Sequence, residues 1–216
     1  MAGKTLICLD RDGTLIYDSR EHLFLGRDES WRSKVKFLPR VMEGLKILAA
    51  IPHSVCYMIT NQAGVAITDY PLLTLERAQE VCSYVLEELK NRGAEIKGYF
   101  LCPHATLEYV HSKPDVRFDP ALVRECACLK PALGMVFEAL EAENITPDNA
   151  GVYVIGDRAS DVQTALNIQG TGILIPFKNE PGQEDKVKKL GRDPHIFIAR
   201  DMVEAAEFIR GRERSS

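Results

Sequence analysis

Apolar runs of strand length alternate with longer segments of helical period along almost the whole chain, and this alternation constrains the fold more than any other feature. The runs are Thr5–Leu9, Val55–Ile59, Gly98–Leu101, Val152–Ile155, Gly172–Ile175 and, more weakly, His195–Ile198. All but the last are apolar without strict alternation, as in strands covered on both faces. Between them, Val41–Ala50 repeats apolar residues at Val41, Leu45, Leu48 and Ala49. The segment Leu75–Asn91 puts Ala78, Val81, Cys82, Val85, Leu86 and Leu89 on one helical face. Arg92-Gly93 supplies a cation and a C-cap glycine at its end. Leu133–Ala142 and Asp161–Ile168 read as two more helices, and Asp201 with Glu204 caps a last one to Arg210. The expected fold class is therefore α/β, a doubly wound parallel sheet with flanking helices. Its expected extent is one domain over residues 1–210, followed by a frayed tail at 211–216.

Composition closes off other classes. The 216 residues are 45% hydrophobic and 27% charged, ordinary values for a globular chain. No apolar run approaches the ~20 residues that span a bilayer. The apolar stretch after Met1-Ala2-Gly3-Lys4 is too short for a signal peptide, so a cytoplasmic address is expected. Thiols stay reduced there, and the six cysteines are not read as a disulfide framework. A formal charge of −4 gives no broad electrostatic footprint for nucleic acid. Neither nucleic acid nor membrane is expected as a partner.

Three segments break the alternation: 11–36 with the single tryptophan Trp31, 102–131, and the charged stretch 176–193. Sites gather on such loops. The first strand runs directly into Asp10-Arg11-Asp12-Gly13-Thr14. In an open α/β sheet, ligands bind beyond the carboxyl ends of the strands. Two carboxylates held there repel unless a cation lies between them or one is protonated, and a divalent metal with a phosphoryl substrate resolves the conflict. Taken alone, Asp-x-Asp-Gly also reads as an ordinary turn. The other strand ends shift the balance. Val55–Ile59 ends in Thr60-Asn61-Gln62-Ala63-Gly64, and Val152–Ile155 ends in Gly156-Asp157-Arg158-Ala159-Ser160-Asp161. Lys130 precedes a helix N-terminus, which itself favours anions. Arg11 is expected to face away from the two acids, as neighbours do on an extended segment. Gly64 and Gly156 read as turn residues.

In their order and spacing, Asp10-Arg11-Asp12-Gly13-Thr14, Thr60-Asn61, Lys130 and Gly156-Asp157-x-x-x-Asp161 resemble the four motifs of the haloacid dehalogenase superfamily. The longer strings around Leu9–Leu15 and Thr60–Val65, with Cys102-Pro103-His104, resemble its small phosphatases of heptose bisphosphate and histidinol phosphate. The resemblance implies a phosphomonoesterase with an aspartyl-phosphate intermediate and a small phosphorylated metabolite as substrate. Asp10 would be the nucleophile, and Asp12 would protonate the leaving oxygen and then activate water. Thr60 and Asn61 would hold phosphoryl oxygens, and Lys130 would neutralise charge and orient Asp10. Magnesium would be bound by Asp10, Asp157 and the main-chain carbonyl of Asp12, with Asp161 in the outer shell or on the metal.

Cys102, His104, Cys126 and Cys128 form a second constellation, a Cys₃His set suited to tetrahedral zinc. They bracket the one long segment that otherwise lacks a core, which a metal cross-link would stabilise. Buried free cysteines are the plain alternative, and that reading is applied to Cys8, Cys56 and Cys82. The related phosphatases carry a matching zinc loop. Four ligands leave no open position, so the role is structural. His22, His53, His111 and His195 have no partner spacing and read as ordinary residues, and Lys186-Val187-Lys188-Lys189 reads as a solvated helix face.

Superfamily members often insert a cap domain, but residues 11–36 are too few for one, and only the zinc loop separates the third strand from Lys130. A largely capless protein is expected. Two departures bear on the substrate. The relatives' Arg-Lys-Pro is Leu129-Lys130-Pro131 here, which weakens a bisphosphate assignment. The span from His104 to Cys126 is longer than theirs, which would reshape the mouth of the site. A sugar phosphate is preferred and histidinol phosphate is the alternative. A phosphotransferase or mutase would need water excluded, and an inactive binding module would be expected to lack Asp10 or Asp12.

Overall fold

The computed structural model describes residues 4–17, 24–191 and 193–214. Six strands, β1 (Lys4–Leu9), β2 (Ser54–Asn61), β3 (Gly98–Cys102), β4 (Ala150–Gly156), β5 (Thr171–Leu174) and β6 (Ile196–Ile198), form one sheet in the order β3-β2-β1-β4-β5-β6. Every pairing is parallel. All six anticipated strands are present, with ends moved by a residue or two. The chain reverses its direction of winding between β1 and β4, so a crevice opens beyond their carboxyl ends.

Eight helices are described: α1 (Trp31–Lys34), α2 (Val41–Ala49), α3 (Leu75–Asn91), α4 (Leu107–His111), α5 (Gly134–Ala142), α6 (Ala159–Asn167), α7 (Gln183–Lys189) and α8 (Met202–Glu213). One face of the sheet packs Ile7, Leu9, Met58 and Ile155 against Leu45 and Leu48 of α2, Val81 and Val85 of α3, and Ile209 of α8. The other packs Leu6, Cys8, Ile59 and Val154 against Val136 and Leu140 of α5 and Ala165 of α6. Burying each large aliphatic side chain contributes about 1.5–3 kcal/mol, so these two layers fix where the strand tips lie. The solvated helix expected around Lys186 is α7, with Val187 turned inward.

Several local expectations change. The last helix continues past Arg210 to Glu213, so residues 211–213 are not a frayed tail; Ser215 and Ser216 lie outside the described residues, as does His22. Its cap holds, with Asp201 accepting from the backbone of Val203 and Glu204. Within 11–36, which breaks the alternation, Leu15, Ile16, Leu25 and Trp31 are buried. Trp31 packs edge-on against Tyr84 of α3. Among the described residues, no separate domain stands between β1 and β2 or between β3 and α5, in keeping with the capless expectation. No described helix is long and apolar enough to cross a membrane.

Candidate active site

The tips of β1, β2 and β4 and the loop before α5 bring Asp10, Thr60, Asp157, Asp161 and Lys130 into one buried group. The Lys130 ammonium donates to Asp10 Oδ1 at 2.5 Å and to the Ile59 carbonyl oxygen at 3.1 Å, and it forms an ion pair with Asp161 Oδ1 at 2.6 Å. Burial alone would lower the Lys130 pKa, but the carboxylates of Asp10 and Asp161 outweigh it and hold the group charged. Burial pushes the Asp10 carboxyl up while Lys130 pulls it the other way.

Asp157 is fully buried, and neither carboxylate oxygen has a hydrogen-bond partner. Burial, together with Asp10 and Asp161, pushes it up to about 9. An orphaned buried carboxylate is costly, and a cation beside it removes the cost. The residues present therefore fit a divalent metal next to Asp10 and Asp157. Two glycines let the backbone approach these carboxylates closely. Gly13 has φ +81°, and a Cβ there would meet Asp157 Oδ2 at 2.3 Å. A Cβ on Gly156 would meet the Asp161 carboxyl at 2.1 Å. Gly156 is thus required by close approach of a carboxylate rather than by a turn. Gly64 sits in a short 3-10 segment, Ala63–Ala66, as a turn residue would.

One expectation about these side chains needs revision, and three further contacts stand beside it. Arg11 does not point away from the acids. The chain turns tightly after Asp10, with Leu15 and Ile16 both donating to the Arg11 carbonyl, so the extended geometry is absent. The buried Arg11 guanidinium instead reaches Asp12 Oδ2 at 2.8 Å and Gln62 Oε1 at 2.8 Å. The Asn61 amide is committed to the backbone of Lys130, accepting from its N–H at 3.0 Å and donating to its carbonyl at 3.2 Å. Its side chain thereby positions Lys130, and Nδ2 keeps a second N–H at the edge of the cavity. The second Asp161 oxygen accepts from the Arg158 N–H, so this side chain serves Lys130 and the start of α6. Gln62 was missed as a site residue. Its Nε2 donates to Asp12 Oδ2 at 2.8 Å and to Thr60 Oγ1 at 2.7 Å, linking two strand ends.

Cys102, His104, Cys126 and Cys128 converge as expected, with all four ligand atoms within 4.8 Å of one another. Cys102 Sγ lies 3.5 Å from His104 Nδ1 and 3.5 Å from Cys126 Sγ, and His104 Nδ1 lies 3.4 Å from Cys128 Sγ. Burial and the nearby Arg124 guanidinium lower the His104 pKa, favouring the neutral imidazole that ligates metals. Arg124 Nη2 sits 2.8 Å from His104 Nε2. With a metal on Nδ1 the proton belongs to Nε2, and Arg124 would turn aside. Cys8, Cys56 and Cys82 are free and buried.

Above the acids lies a cavity of about 410 Å³, lined by Asp10, Asp12, Thr60 and Lys130 and also by Phe24, Tyr109, Lys113 and Arg158. The loop after His104 therefore supplies part of its wall. That volume suits a small metabolite.

A parallel sheet wound in this order, with acids at the tips of adjacent β1 and β4, defines a hydrolase of the haloacid dehalogenase type. The fold matches that of D,D-heptose bisphosphate phosphatase from B. bronchiseptica, solved with magnesium and phosphate, at TM-score 0.70 and 22% identity over 96% of this chain and 99% of that one. None of the family models compared with the chain matches it. D-glycero-beta-D-manno-heptose-1,7-bisphosphate 7-phosphatase of Yersinia pestis is 30% identical over 171 residues, covering 78% of this chain and 79% of that protein. The bifunctional histidine biosynthesis protein HisB of Campylobacter jejuni is 28% identical over 172 residues, 78% of this chain but 40% of HisB. The chain belongs to the haloacid dehalogenase superfamily of phosphatases, in the group that includes these heptose bisphosphate phosphatases and HisB, and is a phosphoric monoester hydrolase.

Proposed function

We propose that the chain hydrolyses the phosphomonoester of a small phosphorylated sugar, with magnesium, through an aspartyl-phosphate intermediate. The observation that carries this reading is the Asp10–Lys130 contact at 2.5 Å beside the unpartnered carboxylate of Asp157. A carboxylate attacks a phosphate dianion only when their repulsion is cancelled by charge fixed in advance. Lys130 offers such a charge, and Asn61 and Asp161 hold it in place. Magnesium, held by Asp10, Asp157 and the carbonyl oxygen of Asp12, would neutralise the phosphoryl oxygens further.

In the first step an Asp10 oxygen attacks phosphorus, and the ester oxygen leaves with the proton of Asp12. In the second, Asp12 takes a proton from water as that water attacks the phosphorus of the acylphosphate, and Asp10 is released with inorganic phosphate. The contacts of Arg11 and Gln62 fix Asp12 over the leaving group. Thr60 and the backbone beside it bind phosphoryl oxygens. Cys102, His104, Cys126 and Cys128 hold a zinc ion whose role is structural, within one catalytic domain over residues 1–210.

The sugar preference rests on the heptose bisphosphate relatives, and histidinol phosphate is the second reading because of the similarity to HisB. The intact rim of Asp10, Asp12, Asp157 and Lys130 argues against an inactive binding module. The test is release of phosphate from an aryl phosphate, followed by a panel of sugar phosphates, heptose bisphosphates and histidinol phosphate. Turnover is expected to need added magnesium and to drop by about 10⁴-fold or more in Asp10→Asn. Activity retained in that variant overturns the nucleophile assignment.

A further inference from the structure

Among the described residues, three cations other than histidine line the cavity: Lys113, Lys130 and Arg158. Lys130 is balanced by Asp10 and Asp161, and Arg158 pairs with Glu180 at 2.5 Å. Lys113 differs. Among the described residues no carboxylate pairs with it, and its ammonium sits 5.2 Å from the centroid of the Tyr109 ring. A cation resting on an aromatic face is held in place while its donors stay available to a ligand.

The loop that carries Lys113 is tied at both ends. On one side it leaves the cluster of His104, Cys126 and Cys128, where the Ala105 N–H donates to the Leu122 carbonyl and the Ala105 carbonyl accepts from the Arg124 N–H. On the other, Thr68 donates to the Arg117 carbonyl at 2.9 Å, Asp119 donates to the Ala66 carbonyl at 2.8 Å, and Asp69 accepts from Arg117. A positive side chain is thereby presented to the cavity that also contains Asp10, by a segment that plays no part in the acid rim.

We propose that Lys113, seated on the Tyr109 ring, binds an anionic group of the substrate remote from the phosphoryl that reacts. The preferred substrate then carries two anionic groups, a second phosphate or a carboxylate. This rests on the phosphatase reading above and adds the second recognition point. On the reading above the reacting phosphoryl uses Lys130, and the charge of Arg158 is met by Glu180, so among the described cations of the cavity Lys113 is the partner for a second anion.

The experiment compares kcat/KM of the purified full chain with magnesium on three esters: a sugar bisphosphate, a phosphorylated sugar acid and a neutral-tailed sugar monophosphate. The wild type is expected to prefer at least one doubly anionic ester, and the better of the two identifies the remote group. Lys113→Met is expected to cut the ratio of doubly to singly anionic kcat/KM by about tenfold or more, chiefly through KM, as loss of a charged hydrogen bond does. Lys113→Arg is expected to restore most of it, and circular dichroism of each variant checks folding. A wild type without preference, or a ratio unmoved by Lys113→Met, overturns the proposal while aryl phosphate is still hydrolysed. Absence of turnover on every ester, aryl phosphate included, overturns the underlying reading and this one with it.

Discussion

The acid rim and the cysteine-bound loop face the same cavity but owe their geometry to different forces. The rim is set by the sheet. Asp10 and Asp157 continue from adjacent parallel strands, and the flanking β1–β4 register from Lys4 to Leu9 fixes their spacing. Its side chains are buried and mutually charged, so each one is costly without the others. The loop 103–125 has little core of its own. Its ends are clamped by four ligand atoms within 4.8 Å of one another and by backbone bonds to residues 66–68, and its middle holds only the short α4. The lesson is a contrast of means: packing in the sheet fixes the acid rim, while the convergence of four side chains and a few backbone bonds anchors a loop with little core of its own.

The most severe way to break this contrast is to remove the charge at the centre of the rim. Lys130→Met leaves Asp10 and Asp161 buried without their cation, and a loss of about 3–5 kcal/mol in urea denaturation is expected, with turnover abolished. A variant as stable as the parent would show that the rim carries no such mutual dependence. The next largest effect tests the loop. Cys128→Ser, or a chelator acting on the metal proposed for the cluster, is expected to expose residues 103–125 to limited proteolysis and to raise KM, while the sheet stays folded by circular dichroism. Sheet and loop melting together would erase the distinction. The smallest effect sharpens it. Arg117 pairs with Asp69 at 2.7 Å but its side chain is 82% exposed. Arg117→Ala is expected to shift Tm by about 2 °C or less, because exposed ion pairs contribute little. A larger shift would mean that the surface tie, not the cluster, holds the loop.

The sequence made the sheet and most of its helices legible because long apolar runs and the helical period survive without tertiary context, as α3 at Leu75–Asn91 shows. α1 and α4, with four and five residues, are shorter than the window in which periodicity can be seen. The site residues were visible as types at strand ends, and Asp10, Asp157, Lys130 and the cysteine cluster came together accordingly. What stayed hidden was the direction of individual side chains. Arg11 curls back because the backbone turns after Asp10, and Asn61 is drawn to the Lys130 backbone. Gln62 lay inside a quoted motif, yet only the folded arrangement of two strand tips reveals that it joins Asp12 to Thr60. Neither fact is encoded in spacing.

The adjacency of β1 and β4 has a consequence for how the protein comes into being. Asp10 is among the first residues made, whereas Asp157 follows after most of the chain has been synthesised. A nascent fragment can pair β1 with β2 and still lack half of its anionic pair. With Asp157 as the proposed metal ligand, hydrolytic competence is expected only once β4 takes its place in the sheet.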